Sequence, residues 1–530
     1  MSQALRYDVV VVGAGINGMV AALRLAQKKY KVLLLEKQNR VGGLARSVSF
    51  FENESGVFKV PGMHISETDV FDEGLAQDLQ ILLPRQEKSE ARVIASSGKE
   101  PLHFLDDVEV SKQFEGSFGG EAVALKEWRC FLDRVRPLAH RILSEPPPAL
   151  LPKNLADALF LLHRGVALRR LGSDDMLELL RLLPSNMRDV AGDRFIHPLL
   201  GAVFAARASM GSYTGPFSAG TVGTLLLDDF GVPKGQRAIK GGVVRLVKTL
   251  EEALSRAGVE VRCDVEVDQI LVADAPSSYD VPEHAARVRG VRTVGGKEFA
   301  AAKVVSCADV KHTLLNLVGP LYLPFHLAEE VRVFRCRGTT SVLALALKDG
   351  WALKEAQESK SIQHLEILPE NLFEVERAFD DVKYQEFSKR PVLRMRFHRE
   401  DTAPKGHHTA LVHIGFTPFE LKGGWTDSQK SLLVERSLNL FNDVTTGIQD
   451  HIVGHRLWTP PELEQDFSVS GGHLRHGEPA LDQLLMMRPG QSCSRYSTSI
   501  HGLFLGGNGN HPGIPLSGRA GFLSAGAACK

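Results

Sequence analysis

The first fifty residues constrain the fold of this chain more than any other stretch. Residues 9–12 are all valine, which is typical of a buried strand, and residues 19–27 have a helical apolar pattern. Between them lie three glycines in a G-x-G-x-x-G pattern: Gly13, Gly15 and Gly18. A second apolar strand over residues 31–35 ends at Glu36, eighteen residues after Gly18. Strand, glycine turn, helix, strand and acid in this order predict a βαβ unit that binds a nucleotide.

Each glycine of this pattern has its own physical role. Gly13 permits the tight turn, and Gly15 lets the backbone approach a pyrophosphate at the helix N-terminus. Gly18 allows the helix to pack closely on the strand. Glu36, at the tip of the second strand, can accept both hydrogen bonds from a ribose diol. The neighbouring residues assigned to the same site are Ala14, Asn17 and Lys37.

Length and composition narrow the classes of protein to consider. The 530 residues are too many for one compact core, so we predict two intertwined domains. Lysine plus arginine and aspartate plus glutamate number 63 each, and this balance gives no argument for a nucleic-acid partner. The six cysteines show no C-x-x-C or metal-ligand spacing, which argues against a metal site or a redox disulfide and indicates a reducing compartment.

Two sequence features bear on localisation. The first predicted strand begins by residue 8, which leaves no room for a signal peptide. No apolar run reaches the roughly eighteen residues that a membrane-spanning helix needs. We therefore expect a cytoplasmic protein, with peripheral membrane association left open.

A helical block begins at Glu121 and is interrupted by three prolines at residues 146–148. Two leucine-rich helices are predicted to follow, over residues 155–171 and 176–183. Their apolar stripes favour packing in a core; an apolar substrate tunnel and a membrane-surface contact are the alternatives. Residues 330–470 then alternate between strands and a helix, which predicts a sheet with helices behind it.

The segment from Arg40 to Ser47 indicates which nucleotide is bound. It reads R-V-G-G-L-A-R-S and follows the acidic strand tip closely. This stretch is similar to the FAD-binding signature of the glutathione-reductase-like flavoproteins. In that family the segment wraps the pyrophosphate and the ribityl chain, which implies FAD rather than NAD as the cofactor. The residues that match it are Gly42, Gly43, Arg46 and Ser47.

A strand, a glycine turn and a helix recur at the C-terminus. Residues 503–505 are a short apolar strand, and residues 518–528 are a helix of small residues. In the flavoproteins that this chain resembles, such a segment meets the ribityl chain and the pyrimidine end of the flavin. The resemblance implies this role for Gly507, Asn508, Pro515 and Leu516. It also implies that the strand containing Val267 hydrogen-bonds the adenine through its backbone.

The stretch from Gly471 to Pro489 contains G-G-x-x-x-H-G followed by D-Q-L and R-P. Together with the glycine turns it resembles the phytoene-desaturase-like flavoproteins, and more closely the branch of pyridine nucleotide-disulphide oxidoreductase domain-containing proteins. One segment departs from the pattern. Residues 511–518 read H-P-G-I-P-L-S-G, whereas carotenoid desaturases tend to have H-P-G-G-G-V-P-G, so two glycines are replaced by bulkier residues.

The resemblance implies an α/β fold. A Rossmann-like FAD-binding domain of the glutathione-reductase type would be interleaved with an α+β substrate domain that carries a helical insertion. The FAD-binding domain is predicted to consist of residues 1–75, 235–325 and 485–530. The substrate domain is predicted to consist of residues 76–234 and 326–484.

The resemblance also implies the chemistry. The expected activity is that of an FAD-dependent oxidoreductase, which dehydrogenates a largely apolar or conjugated small molecule by hydride transfer to flavin N5. Dioxygen or a quinone is the expected electron acceptor. Desaturation also needs a base, for which the candidates are His473, His476, Glu478 and His511. The alternatives are a flavin-containing amine oxidase, a flavin-assisted isomerase and a non-catalytic FAD-binding interaction protein, and homo-oligomerisation is left open.

Overall fold

The computed structural model describes residues 5–64, 71–84, 86–87, 91–95, 102–104, 119–148, 155–231, 238–273, 286–353, 364–398 and 402–530. Two seven-stranded sheets organise these residues. The strands are β1 (Leu5–Val12), β2 (Val32–Leu35), β3 (Val48–Asn53), β4 (Gly56–Val60), β5 (Gln86–Glu87), β6 (Ala91–Ala95), β7 (Leu102–Phe104), β8 (Ala238–Ile239), β9 (Glu260–Arg262), β10 (Val267–Ala273), β11 (Arg287–Thr293), β12 (Glu298–Ser306), β13 (Thr340–Lys348), β14 (Ala352–Leu353), β15 (His364–Leu368), β16 (Leu393–His398), β17 (His407–Gly415), β18 (Thr445–Thr446), β19 (Ile452–Trp458) and β20 (Leu503–Leu505). The α-helices are α1 (Ile16–Gln27), α2 (Glu73–Asp78), α3 (Gly119–Ser144), α4 (Leu155–Arg169), α5 (Ser173–Leu182), α6 (Met187–Arg194), α7 (Pro198–Ser209), α8 (Thr221–Gly231), α9 (Gly242–Arg256), α10 (Phe325–Val333), α11 (Leu372–Lys383), α12 (Asp427–Val444), α13 (Ile448–His451), α14 (Pro460–Phe467) and α15 (Arg519–Ala528).

The first sheet is the predicted Rossmann-like sheet. Its strand order is β10-β11-β12-β1-β2-β9, and β20 also pairs with β12. The strands β9, β2, β1, β12 and β20 run parallel to one another, so Val12 lies beside Leu35 and Ser306, and Ser306 lies beside Leu505. Because parallel strands end at the same edge, the segments that follow β1, β2, β12 and β20 meet there.

The valine run of β1 is explained by burial on both faces of this sheet. Val9 and Val11 pack in one core with Met19 and other side chains of α1. Val10 packs in a second core on the opposite face, which includes Leu327 of α10. A parallel strand covered on both sides has no polar face, and its sequence is therefore continuously apolar. The predicted α/β fold is confirmed.

The second sheet has the order β19-β13-β17-β16-β15-β6-β7 and is mostly antiparallel. One face contributes Val342 and Leu411 to a core shared with the helical block. The other face contributes Leu343 and Val412 to a core shared with Phe441 of α12. Strands alternate their side chains between two cores, which is the arrangement of a sheet with helices on both sides.

The strands of the two sheets come from different parts of the chain, and this division follows the predicted domain segments. All seven strands of the first sheet lie within residues 1–75, 235–325 and 485–530, and those of the second lie within residues 76–234 and 326–484. The hairpin β3–β4 differs, because it belongs to the first segment but packs on the second sheet. Its Lys59 N–H donates to the carbonyl of Thr402 at 2.8 Å. The domain boundaries themselves stay a prediction. Residues 235–237, at one of these boundaries, lie outside the residues that the structure describes.

The helical block divides into buried and exposed parts. In α3, Trp128 and Val135 are buried, as a core-facing stripe requires. In α4 the expectation of core packing is wrong for one face, where four apolar side chains are between 41% and 76% exposed: Leu155, Leu159, Leu162 and Val166. No helix of the described residues has both the length and the apolar character to cross a bilayer. The same residues contain no cluster of three or more potential metal ligands.

Candidate functional site

A cleft at the carboxyl edge of the first sheet brings together most of the residues predicted to bind the cofactor. It encloses about 1230 Å³, counting the part that is open to solvent. The predicted residues that line it are Gly13, Gly15, Asn17, Glu36, Lys37, Gly42, Gly43, Arg46, Val267, Asn508, Pro515 and Leu516. These residues are far apart in the sequence, and they meet because β1, β2 and β20 end side by side.

Two glycine turns touch each other in the wall of the cleft. The N–H of Gly42 donates to the carbonyl of Ala14 at 2.8 Å, which joins the second turn to the first. A Cβ atom on Gly43 would lie only 3.0 Å from the Cα of Gly15. Gly42 and Gly43 both have a positive φ, which glycine adopts without strain. The contact between the two backbones therefore requires glycine and leaves an open cradle at the start of α1.

Four predicted residues lie behind the lining rather than in it. A Cβ on Gly18 would meet the carbonyl oxygen of Gly13 at 1.8 Å, so Gly18 serves the packing of α1 on β1. A Cβ on Gly507 would meet the carbonyl oxygen of Ala308 at 2.6 Å, which is a similar backbone contact. Ala14 is fully buried, and Ser47 lies outside the lining.

Glu36 is held in place by backbone donors. Its Oε2 accepts from the N–H of Ala14 at 2.8 Å, and its Oε1 accepts from the N–H of Gln38 at 3.0 Å. The residue is 7% exposed and lines the cleft. Each carboxylate oxygen can accept a further hydrogen bond, so the orientation is compatible with a ligand diol.

The strand predicted to meet the adenine forms the far end of the cleft. Val265 and Val267 both line it, and Val267 begins β10. The N–H of Val265 donates to the carbonyl of Glu36 at 2.9 Å. This bond fixes the start of β10 against the tip of β2.

Arg46 bridges the two halves of the molecule across the cleft. Its guanidinium donates to the carbonyls of Gly43 and Asp466, at 3.3 and 3.2 Å, and lies 4.4 Å from the ring centre of Phe467. Burial lowers the pKa of this guanidinium, which nevertheless stays charged at neutral pH. Arg46 therefore places a positive charge at the rim of the cleft.

The helix α14 positions the opposite rim. It begins with a capping box in which the N–H of Thr459 donates to Glu462 Oε2 at 2.9 Å. It ends at Ser468, whose φ of 57° turns the chain into the cleft wall. Phe467 and Ser468 line the cleft as a result. Neither residue was predicted from the sequence.

Of the four candidate bases, His476 lines the cleft, whereas Glu478 is buried and lies outside the lining. Its Nδ1 lies 3.9 Å from Oδ2 of Asp309, a buried carboxylate that follows β12. Burial by itself would raise the pKa of Asp309, but His476, the hydroxyl of Ser470 and the N–H of His312 outweigh it and hold the pKa below its ordinary value. The cleft therefore contains an ionised carboxylate beside an imidazole.

The structure places His473 and His511 behind the lining. His473 is fully buried, and its Nδ1 accepts from the N–H groups of Arg475 and Gly477, both at 3.3 Å. Burial, with a contribution from nearby Arg475 and Arg488, lowers its pKa well below the ordinary value. Burial lowers the pKa of His511 to about 3. Both imidazoles are thus neutral at physiological pH, and both are packed in the interior.

Arg488 organises the loop that carries these histidines. It is 1% exposed and donates to four backbone carbonyls, at 3.1 to 3.4 Å. Those carbonyls belong to Gly477, Glu478, Gln483 and Asn508. Arg488 therefore ties the 477–483 segment to the C-terminal glycine turn, and burial lowers its pKa to about 10.

Several lining residues were not predicted as site residues from the sequence. They are Gln38, Leu44, His64, Ala308, Asp309, His312, Phe467, Ser468 and Leu474. Asp309 had the clearest available signal, because it directly follows a predicted strand of the nucleotide-binding sheet. The others lie on segments whose approach to the cleft depends on tertiary packing.

Comparisons with known proteins agree with this geometry. Residues 11–73 match the family described as an NAD(P)-binding Rossmann-like domain. The chain is 24% identical to pyridine nucleotide-disulfide oxidoreductase domain-containing protein 2 of Rattus norvegicus, over 98% of this chain and 92% of that protein. It is 25% identical to hydroxyneurosporene desaturase of Rubrivivax gelatinosus, over 99% of this chain and 94% of that protein. The resemblance indicated by the motifs is confirmed.

Solved structures share the fold. Cyclohexylamine oxidase from Brevibacterium oxydans superposes with a TM-score of 0.56 over 98% of both chains, at 14% sequence identity. At this level of identity the likeness concerns the fold alone. The relatives and the structural neighbour named above are called oxidoreductases, desaturases or oxidases.

Proposed function

We propose that this chain is an FAD-dependent oxidoreductase that dehydrogenates a largely apolar or conjugated small molecule. The observation that carries the proposal is the meeting of three glycine segments, from residues 13–18, 42–47 and 506–516, around one cleft with an acidic strand tip. The names of the similar proteins support an oxidoreductase. The step from a dinucleotide to FAD rests on the second segment, which resembles the flavoprotein signature.

The residues present fit such a cofactor. A Cβ on Gly43 would press on the backbone of Gly15, so glycine at this position keeps the cradle open, and α1 directs its N-terminal N–H groups towards it. We assign the pyrophosphate to this cradle, a ribose diol to Glu36 and the adenine to the strand at Val267. We assign the ribityl chain and flavin to the segment with Asn508, Pro515 and Leu516.

When bound, FAD supplies a two-electron acceptor for hydride transfer at N5. The chain's own residues provide a water-poor site and proton handling. Leu44, Phe467 and Leu474 line the cleft with apolar surface, which favours an apolar substrate. Among the predicted bases, His476 is the one that we propose for a role at the cleft, because its imidazole lines it. We propose packing roles for His473 and His511.

The three alternative functions differ in the side chains expected in the cleft or in the outcome of a measurement. A flavin-containing amine oxidase is favoured by aromatic side chains near the C-terminal glycines; of the described lining residues, Phe467 supplies an aromatic ring and lies on the opposite rim. A flavin-assisted isomerase would use the same cleft without net redox change, and product mass separates it from a desaturase. A non-catalytic FAD-binding protein would bind the cofactor without substrate-dependent bleaching.

The proposal is tested by the absorption spectrum of the purified protein, followed by release and identification of the bound cofactor. We expect the two visible bands of an oxidised flavin and recovery of FAD. Anaerobic bleaching by candidate substrates would then identify the reductive half-reaction, and reoxidation by dioxygen or a quinone would identify the acceptor. A colourless protein that cannot be reconstituted with FAD would contradict the proposal.

We also propose that the exposed face of α4 makes the peripheral membrane contact left open by the sequence. Leu155, Leu159, Leu162 and Val166 recur at three- and four-residue spacing and are all solvent-exposed. Two further exposed residues at the end of this helix are basic: Arg169 and Arg170. An apolar stripe with adjacent cations suits the surface of an anionic bilayer.

Vesicle sedimentation tests this contact. We expect the protein to bind vesicles that contain anionic phospholipid, and we expect Leu159→Glu with Leu162→Glu to abolish the binding. Leu321→Glu is the matched control, because Leu321 is 89% exposed elsewhere on the surface. Equal sedimentation of all variants would contradict the assignment of α4.

A further inference from the structure

Asp309 is a buried carboxylate in the cleft whose two oxygens have different surroundings. Its side chain is 1% exposed. Oδ1 accepts hydrogen bonds from Ser470 Oγ at 2.7 Å and from the N–H of Lys311 at 2.9 Å. Oδ2 has no hydrogen-bond partner among the described residues and lies 3.9 Å from Nδ1 of His476. The carboxylate is therefore fixed through one oxygen, while the other is directed at an imidazole.

His476 is held towards the cleft by its backbone. Its φ of 56° is left-handed, a conformation that is uncommon for a residue other than glycine. The N–H of His476 donates to the carbonyl of His473 at 2.8 Å. The side chain is 23% exposed and lines the cleft. A loop that imposes this backbone conformation places the imidazole between Asp309 and the open space of the cleft.

The residue before Asp309 lies against the first glycine turn, next to the cradle to which we assign the pyrophosphate. An added Cβ on Gly13 would come within 3.3 Å of the N atom of Ala308, the residue before Asp309. A carboxylate and a pyrophosphate in one partly desolvated cleft repel each other unless a cation compensates the charge. Arg46 supplies one positive charge at the rim, and the imidazolium form of His476 would supply another beside Asp309.

We propose that Asp309 is a positioning residue that orients His476, and that His476 takes up one proton as the anionic dinucleotide binds and so becomes a charge-compensating cation of the cleft. The proton comes from solvent and forms an N–H bond on the imidazole of His476; no other bond changes. The inference rests on the proposed FAD function. It adds a positioning role for Asp309 and the uptake of one proton when FAD binds.

The other charged groups near His476 are held by contacts of their own. Arg475 makes a two-pronged ion pair with Asp228 of α8, at 2.6 and 2.5 Å. Glu478 pairs with Arg337 at 2.8 Å. The remaining titratable or charged groups around the loop and the cleft are His473, Arg488, Lys311, His312, Glu36, Lys37, Arg46, His64 and Glu266. Burial lowers the pKa of His312 below its ordinary value. His476 is therefore the group best placed to change charge when the cofactor enters.

The experiment is a titration of the apoprotein with FAD, followed by flavin fluorescence, from about pH 5.5 to about pH 8.5, the range around the ordinary histidine pKa. The Kd of the wild-type protein should rise with pH, because proton uptake favours binding at low pH. We expect a change of about tenfold, which corresponds to one pKa unit of coupling.

Two variants separate this role from a merely structural one. His476→Gln should make the Kd independent of pH and weaker at the acid end. Asp309→Asn should move the midpoint of the pH profile to lower pH, because the imidazolium loses its carboxylate. His455→Gln, at an exposed position on β19, is the matched control and should reproduce the wild-type profile.

The outcomes are distinguishable from those of the proposed function. If no variant and no wild-type sample binds FAD, the proposed function fails and this inference fails with it. If FAD binds but the wild-type Kd does not depend on pH, the inference alone is overturned. It is also overturned if Asp309→Asn leaves the midpoint unchanged while circular dichroism shows a folded protein.

Discussion

The turn after β1 and the turn after β20 lie at the same edge of one sheet but are built differently. The first is a contact between backbones. Gly43 approaches the Cα of Gly15 so closely that a Cβ would lie 3.0 Å away, and Gly42 bonds to Ala14. What this turn requires is the absence of side chains, and that requirement is met by residues less than thirty positions apart.

The second turn is held by hydrogen bonds from side chains, including the buried Arg488 and Tyr496, which precede the turn in the chain. Arg488 donates to the carbonyl of Asn508, and the hydroxyl of Tyr496 donates to the carbonyl of His511 at 3.2 Å. The side chain of Asn508 in turn donates to the carbonyl of Arg475 at 3.0 Å. A glycine cradle resists added volume, whereas a polar scaffold of this kind is sensitive to lost hydrogen bonds and to protonation.

The largest expected effect is in the second turn. Arg488→Met keeps much of the side-chain volume but removes hydrogen bonds to four backbone carbonyls, of which that of Glu478 keeps a bond from Gln483 Nε2 at 3.1 Å. We expect a loss of about 3–5 kcal/mol in the free energy of unfolding, measured by urea denaturation. The control is Arg289→Met at an exposed position of β11, which should change little. An unfolding midpoint equal to that of the wild type would show that the second turn does not depend on Arg488.

A substitution in the first turn should affect ligand binding rather than folding. Gly15 has a φ of −67°, and a Cβ there would meet nothing closer than 3.9 Å. Gly15→Val is therefore tolerated by the backbone, but its side chain fills the cradle. We expect FAD affinity to fall by about 100-fold, or about 2.7 kcal/mol, measured by fluorescence titration.

The control for the cradle is Gly165→Val, because Gly165 lies on α4 with nothing within 4 Å. Its FAD affinity should equal that of the wild type. If Gly15→Val unfolds the protein instead, the first turn is required for folding, as we expect of the second turn.

Low pH should destabilise the folded protein through His511 in the second turn. The pKa of His511 is about 3 in the folded protein, against about 6.5 when unfolded. Between these values the unfolded state binds more protons, so the contribution of His511 to stability is present above about pH 6.5 and is lost as the pH falls. We expect a loss of about 2 kcal/mol at about pH 5.

The measurement is the unfolding free energy as a function of pH for the wild type and His511→Gln. The variant should show a shallower decline, since its side chain does not titrate. His455→Gln should follow the wild-type curve. Parallel curves for wild type and His511→Gln would place the acid sensitivity elsewhere.

The smallest expected effect concerns a single hydrogen bond of the second turn. Tyr496 is fully buried, and Tyr496→Phe removes its bond to the carbonyl of His511 without changing the ring. We expect a loss of about 1 kcal/mol in unfolding free energy. Tyr384→Phe, at a position that is 74% exposed, should be neutral. A neutral Tyr496→Phe would indicate that Arg488 alone supports the turn.

The difference between contacts within one local unit and contacts made by distant segments explains which site residues could be predicted. Gly13, Gly15 and Glu36 could be predicted as neighbours of one site, and they line the cleft together, because strand, turn and acid follow one another within one βαβ unit. Phe467 and Ser468 reach the cleft only because α14 ends there, and no local pattern encodes that approach. His473 and His511 looked equivalent to His476 in the sequence, but packing directs them away from the lining.

The sequence by itself determined the Rossmann-like unit and the positions of its glycines, because these depend on interactions between residues close along the chain. It also predicted that residues 330–470 alternate between strands and a helix, since alternation and apolar spacing report burial of each segment. Only the tertiary structure decided that α4 exposes its leucines and that Asp309 faces His476. Both facts depend on which distant segments are neighbours, and side-chain burial at such contacts is a property of the whole fold rather than of any local stretch.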